Sequence, residues 1–290
     1  MKVDQILENK FYQQKDSWFN SHFEYVVEQI SKFISDADFK NKRVIDIGCG
    51  DGITDLSLVL KKEIKELVAF DYRSVDKRKL LKQAKENGVS LENLPPQLIF
   101  ITADARDLPF KSNSFDLIIS WSAFEHIPKY FEPLKEARRI LKPTGSFFLQ
   151  IHPLYFSKTG SHLDSWLNEG FEHLIYPPKK LREMISSIRK DIDFGSTIYE
   201  GWSQERFRNF IFEEFLKLNR ITLEEFQKKI LKSQFLIKKI ELNCSLVEIL
   251  VALQNIPIYD LAVSGFQMLL VPNMKISWMR MIRNKMCNHF

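Results

Sequence analysis

Cysteine, glycine and proline are all scarce in this sequence, and it contains no long apolar run. Among 290 residues there are 3 cysteines, 10 glycines and 11 prolines. Cys49, Cys244 and Cys287 are far apart and none belongs to a CxxC pair, so neither a disulfide framework nor a cysteine-based zinc site is expected. The low glycine and proline content excludes collagen-like and low-complexity chains. Since no run of 18 apolar residues occurs, the sequence predicts no membrane-spanning helix.

The N-terminal residues Met1-Lys2-Val3-Asp4 lack the apolar segment of a secretory signal peptide, and we expect a cytoplasmic protein. The net charge is +5, and residues 274–290 contribute four basic residues and no acidic one. The rest of the chain is left at +1, which is too balanced to attract nucleic acid, so no specific nucleic-acid partner is expected. The tail, if helical, would either contact an anionic membrane surface weakly or pack on the body of the protein.

Short apolar runs alternate with helical patterns in the first half of the chain. The predicted strands are residues 43–47, 66–71, 98–103, 115–120 and 146–151. Helices are predicted from residue 53, over 75–87 and over 132–141, the last closed by Lys142-Pro143-Thr144-Gly145. Strands and helices that alternate at this spacing predict an α/β fold, with a parallel sheet covered by helices on both faces.

This alternation stops after residue 151 and resumes near residue 222, where Thr222 and Glu225 predict a helix start with a capping box. Further strands are predicted near 235–243 and 263–271. The intervening stretch shows no convincing buried strand. The aromatic stripe at 194–215 is interpreted as core or dimer interface and not as a substrate platform. The predicted organisation is an N-terminal helical segment (1–40, with a helix over 4–36), an α/β core (41–151), an inserted cap (152–220), the completion of the core (221–273) and a basic tail (274–290).

A glycine-rich turn, Asp46-Ile47-Gly48-Cys49-Gly50-Asp51-Gly52, lies between the first predicted strand and its helix. A dinucleotide site would need GxGxxG, with a pyrophosphate at the helix N-terminus, but Ile53 stands where the third glycine belongs. The carboxylates of Asp46 and Asp51 would repel a pyrophosphate and suit a cation. S-adenosylmethionine is cationic and carries no phosphate, so the charge of the turn favours this methyl donor over NAD.

Two more acidic residues follow predicted strands. Asp71 ends the second strand, where a carboxylate can accept both ribose hydroxyls, although NAD sites use the same position. Asp104, between Ala103 and Ala105, offers an acceptor for the adenine amino group, with small neighbours that admit the ring. The alternative role of Asp104 is a helix N-cap.

The ordered set DIGCGDG, Asp71, Ala-Asp-Ala, LPF, SFDLIIS and LKPTGSFFL resembles class I S-adenosylmethionine-dependent methyltransferases of the type 11 kind. The resemblance covers residues 43–151, and residues 222–272 are similar to the family's last αβ unit and final hairpin. It implies a Rossmann-like, seven-stranded, mostly parallel sheet with a reversed final strand and helices on both faces.

The resemblance also implies the cofactor site. Asp46 and the loop glycines would hold the methionine part, Asp71 ribose and Asp104 adenine, while Ser120 and Trp121 would border the transfer site. The full set of predicted cofactor-binding residues is Asp46, Gly48, Cys49, Gly50, Asp71, Tyr72, Ala103, Asp104, Ala105, Ser120 and Trp121. The side chain of Cys49 is interpreted as a small packing group and not as a nucleophile.

Short strings within the insertion, such as His152-Pro153-Leu154-Tyr155, resemble a bacterial subgroup tied to polysaccharide or sugar biosynthesis. This resemblance implies a small-molecule or glycan acceptor, methylated at oxygen. A hydroxyl acceptor needs a general base, and the candidates are His152, His162 and then His126, with structural roles for each left open. The spacings of 10 and 11 residues from His152 to His162 to His173 match no compact ligand motif, so no metal is expected.

Two other functions stay open on the sequence alone. The first is a methyltransferase fold that binds a cofactor or partner but has lost its chemistry. The second is a nucleic-acid methyltransferase, which the charge distribution and the lack of an Asn/Asp-Pro-Pro-Tyr motif after the fourth strand disfavour. The oligomeric state is not predicted.

Overall fold

A computed structural model describes residues 16–167, 169–194, 196–245 and 251–274. The start of the predicted first helix and the basic tail beyond Met274 lie outside these residues. The strands are β1 (Arg43–Ile47), β2 (Glu66–Asp71), β3 (Leu98–Thr102), β4 (Phe115–Trp121), β5 (Leu141–Ile151), β6 (Phe235–Cys244) and β7 (Val263–Pro272). The α-helices are α1 (Ser17–Asn20), α2 (Val26–Ser31), α3 (Asp36–Phe39), α4 (Ile53–Lys61), α5 (Lys77–Glu86), α6 (Phe131–Ile140), α7 (Glu172–Ile175), α8 (Pro178–Ser187), α9 (Gln204–Lys217), α10 (Leu223–Lys232) and α11 (Ile258–Ala262).

The seven strands form one sheet in the order β3-β2-β1-β4-β5-β7-β6. Strands β1 to β5 pair in parallel, whereas β7 runs antiparallel to both β5 and β6. Successive residues of β1 face opposite layers, with Val44 in one apolar cluster and Ile45 in the other. The predicted Rossmann-like sheet with a reversed final strand and helices on both faces is therefore confirmed.

The predicted N-terminal helix over 4–36 is interrupted within its described part. A π-helical segment, Ser21–Tyr25, separates α1 from α2, and α2 ends at Ser31. Ser35 then starts α3 through a capping box with Asp38, so local hydrogen bonds favour a new helix over a continuation. Phe19 and Phe23 bury the N-terminal segment in the apolar cluster shared with α4.

Strand β5 begins earlier than predicted, at Leu141 instead of residue 146. The Lys142-Pro143-Thr144-Gly145 segment was predicted to close a helix, but the structure includes it in the strand. A register irregularity between Phe115 and Leu117 of β4 accommodates the added residues. At the other end of the core, the predicted capping box of Thr222 and Glu225 starts α10 as expected.

The inserted cap holds α7, α8 and α9, and its described part contains no strand. Its aromatic residues pack mainly on one another, with Trp166, Phe207, Phe212 and Phe215 buried in a cluster separate from the two layers of the sheet. This packing favours the interpretation of the aromatic stripe at 194–215 as core over its use as a substrate platform. In the part of the chain that the structure describes, no helix is long and apolar enough to cross a bilayer.

Candidate active site

The glycine-rich turn leaves the carboxyl end of β1 at the centre of the sheet, where its backbone is fixed to the next strand. The amides of Gly48 and Cys49 both donate to the carbonyl of Phe70, at 2.9 and 3.0 Å. Gly48, Gly50 and Gly52 adopt φ values of +83°, +58° and +82°, which favour glycine. Because a Cβ on Gly50 would meet nothing within 4 Å, the turn leaves space for a ligand beside this residue.

Gly48→Ala should lower the free energy of unfolding by about 2–4 kcal/mol, because its left-handed backbone is strained for alanine and its Cβ would also lie 2.4 Å from Cβ of Ala123. Gly50→Ala is the matched control, since it carries only the backbone strain of about 1–2 kcal/mol. Urea denaturation measures both variants. An equal loss in the two would contradict the close packing of the turn on Ala123.

Asp46 and Asp55 place two buried carboxyl groups beneath the turn. Burial raises the pKa of both groups, and the neighbouring charge of Asp46 raises the pKa of Asp55 further. Among the described residues, Oδ1 of Asp46 and both oxygens of Asp55 have no hydrogen-bond partner of good geometry, so a shared proton or a cationic ligand would satisfy the pair. Asp55 is not among the residues predicted from the sequence, since its position within α4 carries no motif.

Asp51 also has a structural role that the sequence did not indicate. Its Oδ2 accepts hydrogen bonds from Nε1 of Trp18, at 2.8 Å, and from Oγ of Ser196, at 2.7 Å. The carboxylate thereby joins the N-terminal segment and the cap to the turn. Both donors share Oδ2, so the expectation that the charge of Asp51 suits a cationic ligand stays a prediction, while Asp55 supplies a further acid near Asp46.

Asp71 lies at the end of β2 with both carboxylate oxygens directed by the backbone. Oδ2 accepts from the amide of Gly50 at 3.2 Å, and Oδ1 accepts from the amide of Arg73 at 3.0 Å. Burial raises its pKa, while these two amides oppose the rise. The carboxylate is thereby held in place beside the turn, and its remaining acceptor capacity is available to a diol. The adjacent Tyr72 is 63% exposed, and the Arg73 guanidinium lies over its ring.

Asp104 is paired with a neighbouring cation. Nε of Arg106 lies 2.9 and 3.0 Å from its two oxygens, and Nη2 lies 2.6 Å from Oδ2. These hydrogen bonds lower the pKa of the exposed Asp104 carboxyl. The residue lies in a turn and not at the start of a helix, so the alternative N-cap role is wrong. An adenine amino group would have to share Asp104 with Arg106.

The remaining predicted cofactor residues make mainly packing and structural contacts. Ser120 is fully buried, and its hydroxyl donates to the carbonyl of Ile47 at 2.8 Å, so its side chain joins β4 to β1 and does not face a ligand. Trp121 stacks on Phe148 and meets the edge of Tyr25. The other three, Cys49, Ala103 and Ala105, pack in or against the apolar core.

The structure brings two of the predicted histidines together at the end of β4. The ring centroids of His126 and His162 are 4.9 Å apart, although 36 positions separate them in the chain. Glu125 lies beside them, 4% exposed, and burial raises its pKa to about 8. Burial and the nearby imidazoles lower the pKa of His162 to about 3. Glu125 is not among the predicted residues, since the sequence signal was limited to its neighbour His126.

His152 leaves the end of β5 with its side chain exposed. His152 lies next to Glu125, His126 and His162. Its charge contributes to the lowered pKa of His162, and its backbone amide faces the carboxyl group of Glu125. Partial desolvation lowers its pKa, so its imidazole is neutral at pH 7. His173 has a structural contact instead, with Nε2 lying 2.6 Å from the carbonyl oxygen of Tyr155.

Comparison with known proteins agrees with this geometry. The family model described as "Methyltransferase domain" matches residues 19–188, more than half of the chain. The chain belongs to the methyltransferase-domain family. S-adenosylmethionine is accordingly its cofactor, as the charge of the turn predicted, and the unpartnered oxygen of Asp46 and the open space at Gly50 fit this group. The polysaccharide or sugar subgroup stays a prediction.

Similar curated proteins include a ubiquinone/menaquinone biosynthesis C-methyltransferase of Rickettsia bellii. It is 30% identical over 186 residues, which cover 63% of this chain and 71% of that protein. The Rickettsia prowazekii protein of the same name is 34% identical over 122 residues, 40% of this chain and 46% of its own length.

Two solved structures share the fold. The [4+2]-cyclase SpnF has a TM-score of 0.51 at 14% identity and covers 86% of this chain and 80% of its own. A protein of Listeria monocytogenes described as an S-adenosylmethionine-dependent methyltransferase has a TM-score of 0.50 at 17% identity. The match covers 88% of this chain and 98% of that protein.

Proposed function

We propose that this methyltransferase acts on a hydroxyl group of a small-molecule acceptor, held between the carboxyl edge of the sheet and the inserted cap. The observation that carries the proposal is the accessible, neutral imidazole of His152 beside the end of β4. Ala123, in the loop after β4, packs directly on Gly48 of the cofactor turn, so the two parts of the site are neighbours.

The donor half of the site would use Asp46, Gly48, Gly50 and Asp71. Asp46 would face the cationic end of the cofactor, the backbone of the two glycines would allow its close approach, and Asp71 would accept the ribose hydroxyls. When bound, the cofactor supplies an electrophilic methyl group on a sulfonium. The cap and Trp121 would keep water from this group. Excluding water favours the reaction because the positive charge of the sulfonium is cancelled or dispersed as the nucleophile attacks.

The acceptor half would use His152 as general base. A hydroxyl has a high pKa and needs a group that takes its proton as the oxygen attacks. His152 meets the requirements of access and of protonation state, whereas His126 and His162 lie against each other and are less exposed. Of the three predicted catalytic histidines, we therefore assign the proton transfer to His152. A glycan acceptor stays a prediction of the sequence.

A second candidate reaction is methylation at carbon of an aromatic hydroxyl compound, which the names of the Rickettsia relatives favour. Loss of a proton from a phenolic hydroxyl places negative charge on the ring carbons beside it. His152 would then act on the same kind of proton, and the orientation of the ring would decide between oxygen and carbon. The ring carbon that takes the methyl group must then lose its own hydrogen as a proton to restore the aromatic ring.

Methyl transfer is tested with S-adenosylmethionine carrying a carbon-13 methyl group. The acceptors are a catechol, a prenylated hydroquinone, a hexose and a nucleotide sugar. The product methyl resonance separates a methoxy group from a methyl group on carbon. A methoxy product supports the proposal and a ring-carbon methyl the second candidate. Donor binding without any product contradicts both and favours a fold that binds its cofactor without chemistry.

Cofactor binding should be linked to proton release from the Asp46–Asp55 pair. Burial raises both pKa values, so the free protein holds a shared proton, and a bound cation favours the ionised pair. Affinity for S-adenosylmethionine should therefore rise from mildly acid to neutral pH. Calorimetry at one acid pH, in two buffers with different ionisation enthalpies, counts the released protons.

Asp55→Asn is the control for this linkage, since its amide can donate to Asp46 and keep that carboxylate ionised. The variant should release fewer protons and show a flatter dependence of affinity on pH. Equal proton release by the variant and the unmodified protein would contradict a proton shared by the pair.

A further inference from the structure

Glu125, His126 and His162 form a compact group of potential ligands that the proposed reaction does not use as acids or bases. One carboxylate oxygen and one nitrogen from each imidazole all lie within 4.8 Å of one another. Donors around a zinc ion, bound at about 2.0–2.2 Å, lie roughly 3.3–3.6 Å apart. A side-chain adjustment of about 1 Å therefore brings the three donors into range of one ion.

Several buried polar atoms of this group lack a well-aligned partner among the described residues. Among the described residues, neither carboxylate oxygen of Glu125 nor Nε2 of His162 has a hydrogen-bond partner of good geometry, although the backbone amides of Glu125 and His152 face that carboxyl group. Glu125 is more than nine-tenths buried, and leaving a carboxylate in that position without a partner is costly. A bound cation would satisfy all of these atoms together.

The local backbone holds the ligands from two separate segments. The amide of His126 donates to the carbonyl of Ala123 at 2.9 Å, which fixes the turn after β4. In the cap, the amide of His162 donates to the carbonyl of Thr159 at 3.0 Å, and His162 has a φ of +58°. Such a left-handed conformation is uncommon outside glycine and is often retained at functional positions.

We propose that Glu125, His126 and His162 bind one first-row divalent transition-metal ion, such as Zn²⁺. Two imidazoles and a carboxylate suit such ions better than Mg²⁺ or Ca²⁺, which prefer oxygen ligands. Three protein ligands leave a coordination position open for an acceptor oxygen. The ion would lower the pKa of a bound hydroxyl and hold it beside His152. This role rests on the proposed function, whereas binding of the ion does not.

The test is metal binding by the tag-free full chain in the absence of donor and acceptor. After incubation with Zn²⁺ and dialysis, elemental analysis should find one ion per chain, and the ion should raise the thermal midpoint. Co²⁺ should give visible d–d absorption. Glu125→Gln and His162→Asn should each lose the stoichiometric ion and the absorption. Glu125→Gln keeps the shape of the protonated side chain, which burial favours, and should fold at least as well as the unmodified chain, so its metal content reports on the site.

His152→Asn is the matched control, because it changes a neighbouring histidine outside the ligand set and should keep one ion per chain. Absence of a stoichiometric ion in the unmodified protein, or its retention in both ligand variants, overturns the site. The outcome is independent of the methylation assay: a bound ion without methyl transfer would contradict the proposed function alone.

Discussion

Replacing His152 by asparagine should lower kcat for a hydroxyl acceptor by about 100- to 10,000-fold, the range that a general base contributes. Asparagine keeps a polar side chain but cannot take the proton. Since burial lowers the pKa of His152, the unmodified enzyme should keep its activity below pH 6.5, the ordinary value for histidine. Steady-state kinetics across pH, with calorimetry of cofactor binding, separates the chemical step from donor affinity.

His173→Asn is the control for this substitution. His173 is also a partly desolvated histidine, but its Nε2 contacts the carbonyl oxygen of Tyr155. The change should cost about 1 kcal/mol of stability and leave kcat nearly unchanged. If His152→Asn retained full kcat at every pH, the base would have to be another group or the acceptor would already be ionised.

Asp71→Ala should weaken binding of S-adenosylhomocysteine, the product of the donor, by at least about 100-fold. Hydrogen bonds to a charged group are worth about 1.5–3 kcal/mol each, and a ribose diol would make two of them. The substitution also leaves the amides of Gly50 and Arg73 without the acceptor that the structure provides. Isothermal titration calorimetry gives the change in Kd.

Two other aspartates make this measurement specific. Asp104→Ala should weaken binding by about tenfold or less, because that carboxylate is exposed and already accepts from Arg106. Asp36→Asn, which changes an exposed carboxylate paired with Lys62, should bind like the unmodified protein. Equal affinities for Asp71→Ala and Asp36→Asn would exclude the assignment of ribose to Asp71.

Much of the fold could be predicted because local patterns and sheet topology agree. Strands β1 to β4 have apolar runs that end at turns, so the predicted bounds lie within one residue of those observed. The break between α2 and α3 and the early start of β5 are the exceptions. Both depend on specific contacts that the sequence pattern does not show. A capping box at Ser35 starts α3 anew, and an irregular register against β4 accommodates the first residues of β5.

The site was less predictable because its residues meet only in three dimensions. Asp46 and Asp71 follow strands and are recognisable there, whereas Asp55 lies in a helix with no motif. The hydrogen bonds that Asp51 accepts come from Trp18 and Ser196, which are far from the turn in sequence and on either side of it. The meeting of His126 and His162 likewise depends on the path of the cap, which no periodic pattern in the sequence specifies.

The central claim is that the turn after β1 binds a sulfonium nucleoside and not a dinucleotide. Calorimetric titration of the unmodified protein with S-adenosylhomocysteine and, separately, with NAD⁺ tests it most directly. We expect saturable one-to-one binding of S-adenosylhomocysteine and no heat of binding for NAD⁺. Tight binding of NAD⁺, or no binding of S-adenosylhomocysteine, would contradict the account.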